Sequence, residues 1–118
     1  MTSAPTLAMI ELTPENFTDA FKDSVDRLSV IYFWGENCPN CVYGHSQLDL
    51  HSESLQKFPV NYYTVNAYIH TELATRYALI GIPSFLFVRN EKVLGRVTGF
   101  PGIESFRNAL EVHSATNL

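Results

Sequence analysis

The stretch Leu28-Ser29-Val30-Ile31-Tyr32-Phe33-Trp34-Gly35-Glu36-Asn37-Cys38-Pro39-Asn40-Cys41 runs from a nearly continuous apolar segment, through a short polar turn, into two cysteines three apart. Leu28–Trp34 is rich in β-branched and aromatic side chains, as expected of a central strand buried on both faces. The segment after Cys38, through Leu48 and Leu55 to Phe58, has the length and polarity of a helix, and Pro59 closes it. Cys38 therefore stands where a strand hands over to a helix. At a helix N-terminus the unpaired backbone N–H groups and the dipole favour an anion, which acidifies a thiol there toward thiolate. The thiolate is the nucleophile of disulfide exchange. Pro39 suits the first turn, where its missing N–H has no partner to lose. Cys41, one turn on and on the same face, can attack a mixed disulfide formed by Cys38 and release the reduced product.

Outward from this centre the chain alternates. Thr13 as N-cap and Pro14 at the first helical position predict a helix whose inner face carries Phe17, Ala20 and Phe21. A short first strand is expected at Ala8–Leu12, after a loose polar start at Met1–Leu7. Val60–Val65 reads as a strand and Thr71–Ala78 as a short helix. Pro83–Arg89 and Lys92–Thr98 read as strands joined by the two-residue turn Asn90-Glu91. Ile103, Phe106, Ala109 and Leu110 form the apolar stripe of a last helix. Strands alternating with helices and ending in a hairpin imply an α/β chain. About five strands form a central mixed sheet and about four helices flank it on both faces. No internal repeat or linker interrupts residues 1–118, so a single domain is expected.

Bulk properties narrow the function. Hydrophobic residues make up 46 % of the chain, enough for a core, and the net charge is only −4. The eight Lys and Arg are scattered, which gives no reason to expect nucleic acid or an anionic membrane as partner. No apolar run approaches the roughly 18–20 residues of a membrane span. Met1–Met9 lacks the basic and apolar regions of a signal peptide, so a soluble, cytoplasmic protein is expected, although a chain trimmed of its signal would look the same; a monomer is expected as well. Two cysteines so close together would staple a fold inefficiently, because closing a short loop removes little entropy from the unfolded state. Zinc wants four ligands; there is no second cysteine pair, and His45, His51, His70 and His113 form no dense cluster, so no metal is expected. The pair reads as chemical.

Tyr32-Phe33-Trp34-Gly35-Glu36-Asn37-Cys38-Pro39-Asn40-Cys41 resembles the active-site segment of the thioredoxin family, with its Trp four residues before the first cysteine. Gly81-Ile82-Pro83-Ser84-Phe85 is similar to that family's second signature, whose proline is cis and faces the dithiol. Gly99 matches the glycine that lets substrate backbone approach, and the element order agrees from about Leu7 to Val112. The resemblance implies a thioredoxin fold and thiol–disulfide exchange on protein disulfides. Cys38 would be the attacking thiol and Cys41 the resolving thiol, with no cofactor beyond the redox-active disulfide Cys38–Cys41. Trp34, Pro39, Ile82, Pro83 and Gly99 would border the groove for an extended substrate segment. The implied partners are protein disulfides and an upstream disulfide reductase.

The chain also departs from the family. Thioredoxins proper carry Gly-Pro between the cysteines, where this chain has Pro39-Asn40, closer to glutaredoxins; neither the Trp34 frame nor the charge pattern supports a glutathione site. The buried Asp six residues before the first cysteine, which helps deprotonate the resolving thiol, is Tyr32. The Lys that accompanies that Asp falls near Tyr62, so an ionic pair is replaced by aromatics. Asn37 stands for the Trp before the first cysteine, and Ser46 for the helix-kinking proline. Glu36 and His45 are the candidate substitutes for the missing base; the ordinary roles of such residues are an exposed loop carboxylate and a surface histidine. Two other readings remain open at this level: a thioredoxin-fold binding module with little turnover, and a copper- or zinc-handling site using the two cysteines and a histidine.

Overall fold

A computed structural model describes residues 6–21 and 25–114. Its elements follow the expected order: β1 (Ile10–Glu11), α1 (Phe17–Ala20), β2 (Leu28–Trp34), α2 (Pro39–Leu50), α3 (Ser52–Leu55), β3 (Val60–Asn66), α4 (Thr71–Arg76), β4 (Ser84–Arg89), β5 (Lys92–Thr98) and α5 (Ile103–Ser114). The strands form one five-stranded sheet in the order β1-β3-β2-β4-β5. β3 runs parallel to β1 and β2, whereas β4 is antiparallel to β2 and β5.

Period-two alternation sends side chains to two cores. From β2 and β4, Leu28, Val30, Tyr32, Phe85 and Phe87 meet Leu48 of α2, Leu55 of α3 and Phe106 and Leu110 of α5. Ile31, Phe33, Leu86 and Val88 face the other way, toward Phe17 of α1 and Leu73 of α4. Both faces of β2 are thus covered, which is why its sequence is a continuous apolar run rather than an alternating one.

Three local expectations are corrected. The helix expected from Pro14 becomes regular only at Phe17. Thr13 caps the turn before it: the Thr13 N–H donates to Asn16 Oδ1 at 2.8 Å and the Asn16 N–H to Thr13 Oγ1 at 3.2 Å, a reciprocal box that holds the entry. The single helix expected after Cys38 is two, divided at His51, whose φ of −105° and ψ of 19° leave the helical range. Serines around the break compete for the backbone, and the Ser54 hydroxyl donates to the His51 carbonyl at 3.0 Å. Leu7, expected in a loose start, is 5 % exposed, and its N–H donates to Asp49 Oδ1 at 3.0 Å; residues 1–5 of that start lie outside the described residues.

β5 is an outer edge of the sheet, with a register shift between Phe87 and Val88 in its ladder with β4. Arg96 of β5 donates from its guanidinium to the carbonyls of Tyr77 and Ala78, which follow α4.

Candidate active site

β2 delivers the chain to the site. After Trp34 the turn Gly35-Glu36-Asn37 reverses it, with Asn37 at φ 57°, a left-handed conformation that asparagine tolerates better than most residues. Cys38 is extended (φ −121°, ψ 96°) and caps α2, which opens on Pro39 as expected. Cys38 and Cys41 form a disulfide with Cα atoms 5.2 Å apart. The Cys41 N–H points at Cys38 Sγ at 3.2 Å, so the helix start places a donor on the outer sulfur. A donor held there favours a thiolate once the bond is reduced. Cys41 is 3 % exposed and Cys38 only partly covered. The two cysteines are therefore unequally exposed.

The second signature lies beside this junction. The Ile82–Pro83 bond is cis, as expected, and Pro83 is buried. Phe33 of β2 pairs with Ser84 of β4, which brings the strand end carrying Trp34 next to Pro83. The Ser84 hydroxyl donates to the Gly81 carbonyl at 2.7 Å and braces the turn. Gly99, at φ +84°, donates its N–H to the Pro83 carbonyl at 2.7 Å, tying the end of the hairpin to the cis proline. The Ile82 side chain reaches Gly35: a Cβ on Gly35 would stand 2.7 Å from Ile82 Cδ1 and 2.6 Å from Tyr68 Cε2. Trp34 is half-buried against the core, and its carbonyl accepts the Ala67 N–H at 2.8 Å. Pro39 is exposed on the first turn of α2.

Under the dithiol, Tyr32 takes a defined role. Its hydroxyl donates to the Cys41 carbonyl at 3.0 Å, and its ring stacks on Phe85 at 5.0 Å. Burial, and secondarily the negative charge of Asp49, push the phenol up to about 12. Tyr32 thus anchors the backbone of Cys41 but keeps its proton, and it cannot stand in for the missing carboxylate as a base. Along β3, Thr64 lies abreast of Tyr32, and Tyr62 lies two residues further back, opposite Val30. Tyr62 donates to the Leu55 carbonyl at 2.7 Å, and burial raises its phenol strongly.

A cleft of about 400 Å³ opens beside α2, lined by Tyr32, Trp34, Glu36, Cys41, His45 and Asp49 among others. His45 Nε2 stands 3.5 Å from Asp49 Oδ2, and the His45 ring meets the Tyr32 ring edge-on at 5.9 Å. Glu36 is exposed on the turn, as its ordinary role predicts. Asp49 was not anticipated, although its spacing of four from His45 was open to reading. Tyr68, packed at Gly35, had no signal, because it lies in the loop after β3 and meets the site only through the tertiary fold. Among the described residues, no three His, Cys, Asp or Glu side chains gather in a group that could hold a metal, and no helix is long and apolar enough to cross a membrane.

Residues 8–112 match the family model described as Thioredoxin. The chain belongs to the thioredoxin family. Its solved structural relatives agree across nearly its whole length. Thioredoxin of Malassezia sympodialis superposes with a TM-score of 0.79 at 21 % identity, covering 98 % of each chain. A thioredoxin of Nicotiana alata gives 0.82 at 17 % identity over 96 % of this chain and 98 % of that one. Fasciola hepatica thioredoxin gives 0.79 at 21 %, over 89 % and 99 %. These likenesses establish the thioredoxin fold. Among curated proteins, mouse glutaredoxin-3 is 25 % identical over 95 residues. That match takes in 79 % of this chain but only 27 % of the mouse protein, so the chain spans about a quarter of that relative's length. This thioredoxin-family chain joins the shared fold to a Cys-x-x-Cys disulfide, a combination consistent with thiol–disulfide oxidoreductase chemistry.

Proposed function

We propose that the protein is a thiol–disulfide oxidoreductase that reduces disulfides of other proteins through Cys38 and Cys41. One observation carries the reading: at the mouth of α2 a partly exposed sulfur receives a backbone N–H, while its partner sulfur one turn on is buried. The Cys38 thiolate attacks a substrate disulfide; one substrate sulfur leaves as thiolate and the other stays bonded to Cys38. Cys41 then attacks Cys38 Sγ, the mixed disulfide breaks, and the second substrate thiol is released. Two electrons pass from the dithiol to the substrate, leaving the Cys38–Cys41 disulfide for an upstream disulfide reductase to reduce. Trp34, Pro39, Ile82, Pro83 and Gly99 border the groove that takes the extended substrate segment. A cytoplasmic setting favours net reduction.

Insulin reduction by the dithiol, together with a redox titration of the Cys38–Cys41 couple, tests this reading. Turnover and a potential near the roughly −270 mV of thioredoxins are expected; a value near about −120 mV would make the protein an oxidant instead. A protein that binds disulfide-bearing partners but turns nothing over would be a binding module.

A further inference from the structure

The family's buried carboxylate is absent here, and the residue in its place keeps its proton. The ionisable groups lining the cleft beside Cys41 are Tyr32 from β2, Glu36 from the turn, and His45 and Asp49 from α2 itself. The Tyr32 hydroxyl is committed to the Cys41 carbonyl. Glu36 is exposed on the turn before Cys38. Asp49 Oδ1 accepts the Leu7 N–H at 3.0 Å, so its carboxylate is fixed from the N-terminal segment, and its Oδ2 faces His45 Nε2 at 3.5 Å. His45 remains. Its spacing of four from Cys41 puts both on one helix face, and its side chain, 47 % exposed, meets the edge of Tyr32 and lies beside Asp49.

Resting on the exchange reading above, we propose that His45 accepts the proton of Cys41 across the cleft during resolution of the mixed disulfide, with Asp49 as the residue that positions the imidazole. With Nε2–H turned toward Asp49, Nδ1 is the nitrogen with a free lone pair. In the mixed disulfide, Cys41–SH gives its proton to Nδ1, directly or through one water in the cleft. The resulting thiolate attacks Cys38 Sγ and forms the Cys38–Cys41 bond. The bond from Cys38 to the substrate sulfur breaks, and its electron pair leaves on the substrate as thiolate. That thiolate takes a proton from the imidazolium or from water. The electron pair of the new bond comes from the Cys41 thiolate, and no further reductant enters.

The reduced full chain with dithiobis(nitrobenzoate) separates the steps, because Cys38 releases the first nitrothiobenzoate and Cys41 the second. His45→Ala and His45→Gln should slow the second release about tenfold or more near neutral pH, leaving the first within about twofold. The pH profile of the second release should change in both variants, and added imidazole should restore much of the rate to His45→Ala. Asp49→Asn should slow the second release less than either His45 variant. An unchanged second release and profile in both His45 variants would overturn the proposal while leaving the exchange reading intact. A slowed release that imidazole does not rescue would assign His45 a merely structural part, which also overturns it. No release at all from the wild type would remove the exchange reading itself.

Discussion

Tyr32 shows what one substitution inside a shared framework does to a site. A phenol in the core next to a dithiol must place its hydroxyl, and here the Cys41 carbonyl accepts it. Because burial and then Asp49 push the folded phenol up to about 12 from an ordinary 10, the unfolded chain loses that proton first as pH rises. The stability contribution is therefore whole below pH 10 and drains away between 10 and 12. Tyr32→Phe should flatten that alkaline loss in urea melts, and should lower stability at neutral pH by about 1 kcal/mol through the lost hydrogen bond. An alkaline slope identical to wild type would place the titration elsewhere, with Tyr62 the next candidate. Cys38, Cys41 and the Ile82–Pro83 pair were legible because short motifs report local geometry. Asp49 and Tyr68 were not, because what brings Asp49 to the cleft beside Cys41 and Tyr68 to Gly35 is a helix row and a packed loop that no motif encodes.

At the scale of elements, the strands were readable because Leu28–Trp34 and Ser84–Arg89 are buried on both faces and so cannot alternate with polar residues. Helix ends were harder. The start of α1 and the break at His51 depend on which side chain claims a backbone group, as in the Thr13–Asn16 box and the Ser54–His51 bond. α5 was visible in its stripe, and it docks through Phe106, whose ring meets Phe85 edge-on at 5.1 Å. Its last turn carries a condition that the stripe does not reveal. His113 stacks on Phe87 at 4.8 Å, and burial, then the Arg89 charge, lower its pKa below the usual 6.5. Its neutral ring is the form the fold accepts, so that contribution is present above pH 6.5 and lost as pH falls below it. Measured against the intrinsic exchange rate at each pH, the protection of amides at the end of α5 should fall on mild acidification, and His113→Gln should abolish that fall. An equal loss of protection in the variant would clear His113 of the effect.

Across the whole molecule, the unequal burial of the two sulfurs sets what a partner can reach. Cys38→Ser should give no covalent complex with protein disulfides, because Cys41 is 3 % exposed. Cys41→Ser should attack and then stall, accumulating complexes that added dithiol releases, and mass spectrometry of these would name the partners. Trapping by Cys38→Ser alone would reverse the roles of the two sulfurs. The two-motif reading reached this far because the motifs stand on neighbouring strand ends, where β2 meets β4. An open sheet margin also carries a hazard, since it invites strands of other chains and can seed aggregates. The Arg96 clasp over the end of α4 answers that hazard at β5. A chain adding along this margin would have to lie against Lys92 and Arg96 and follow a ladder already shifted between Phe87 and Val88. The edge thus meets an incoming strand with two positive charges and a broken repeat, both of which work against polymerisation.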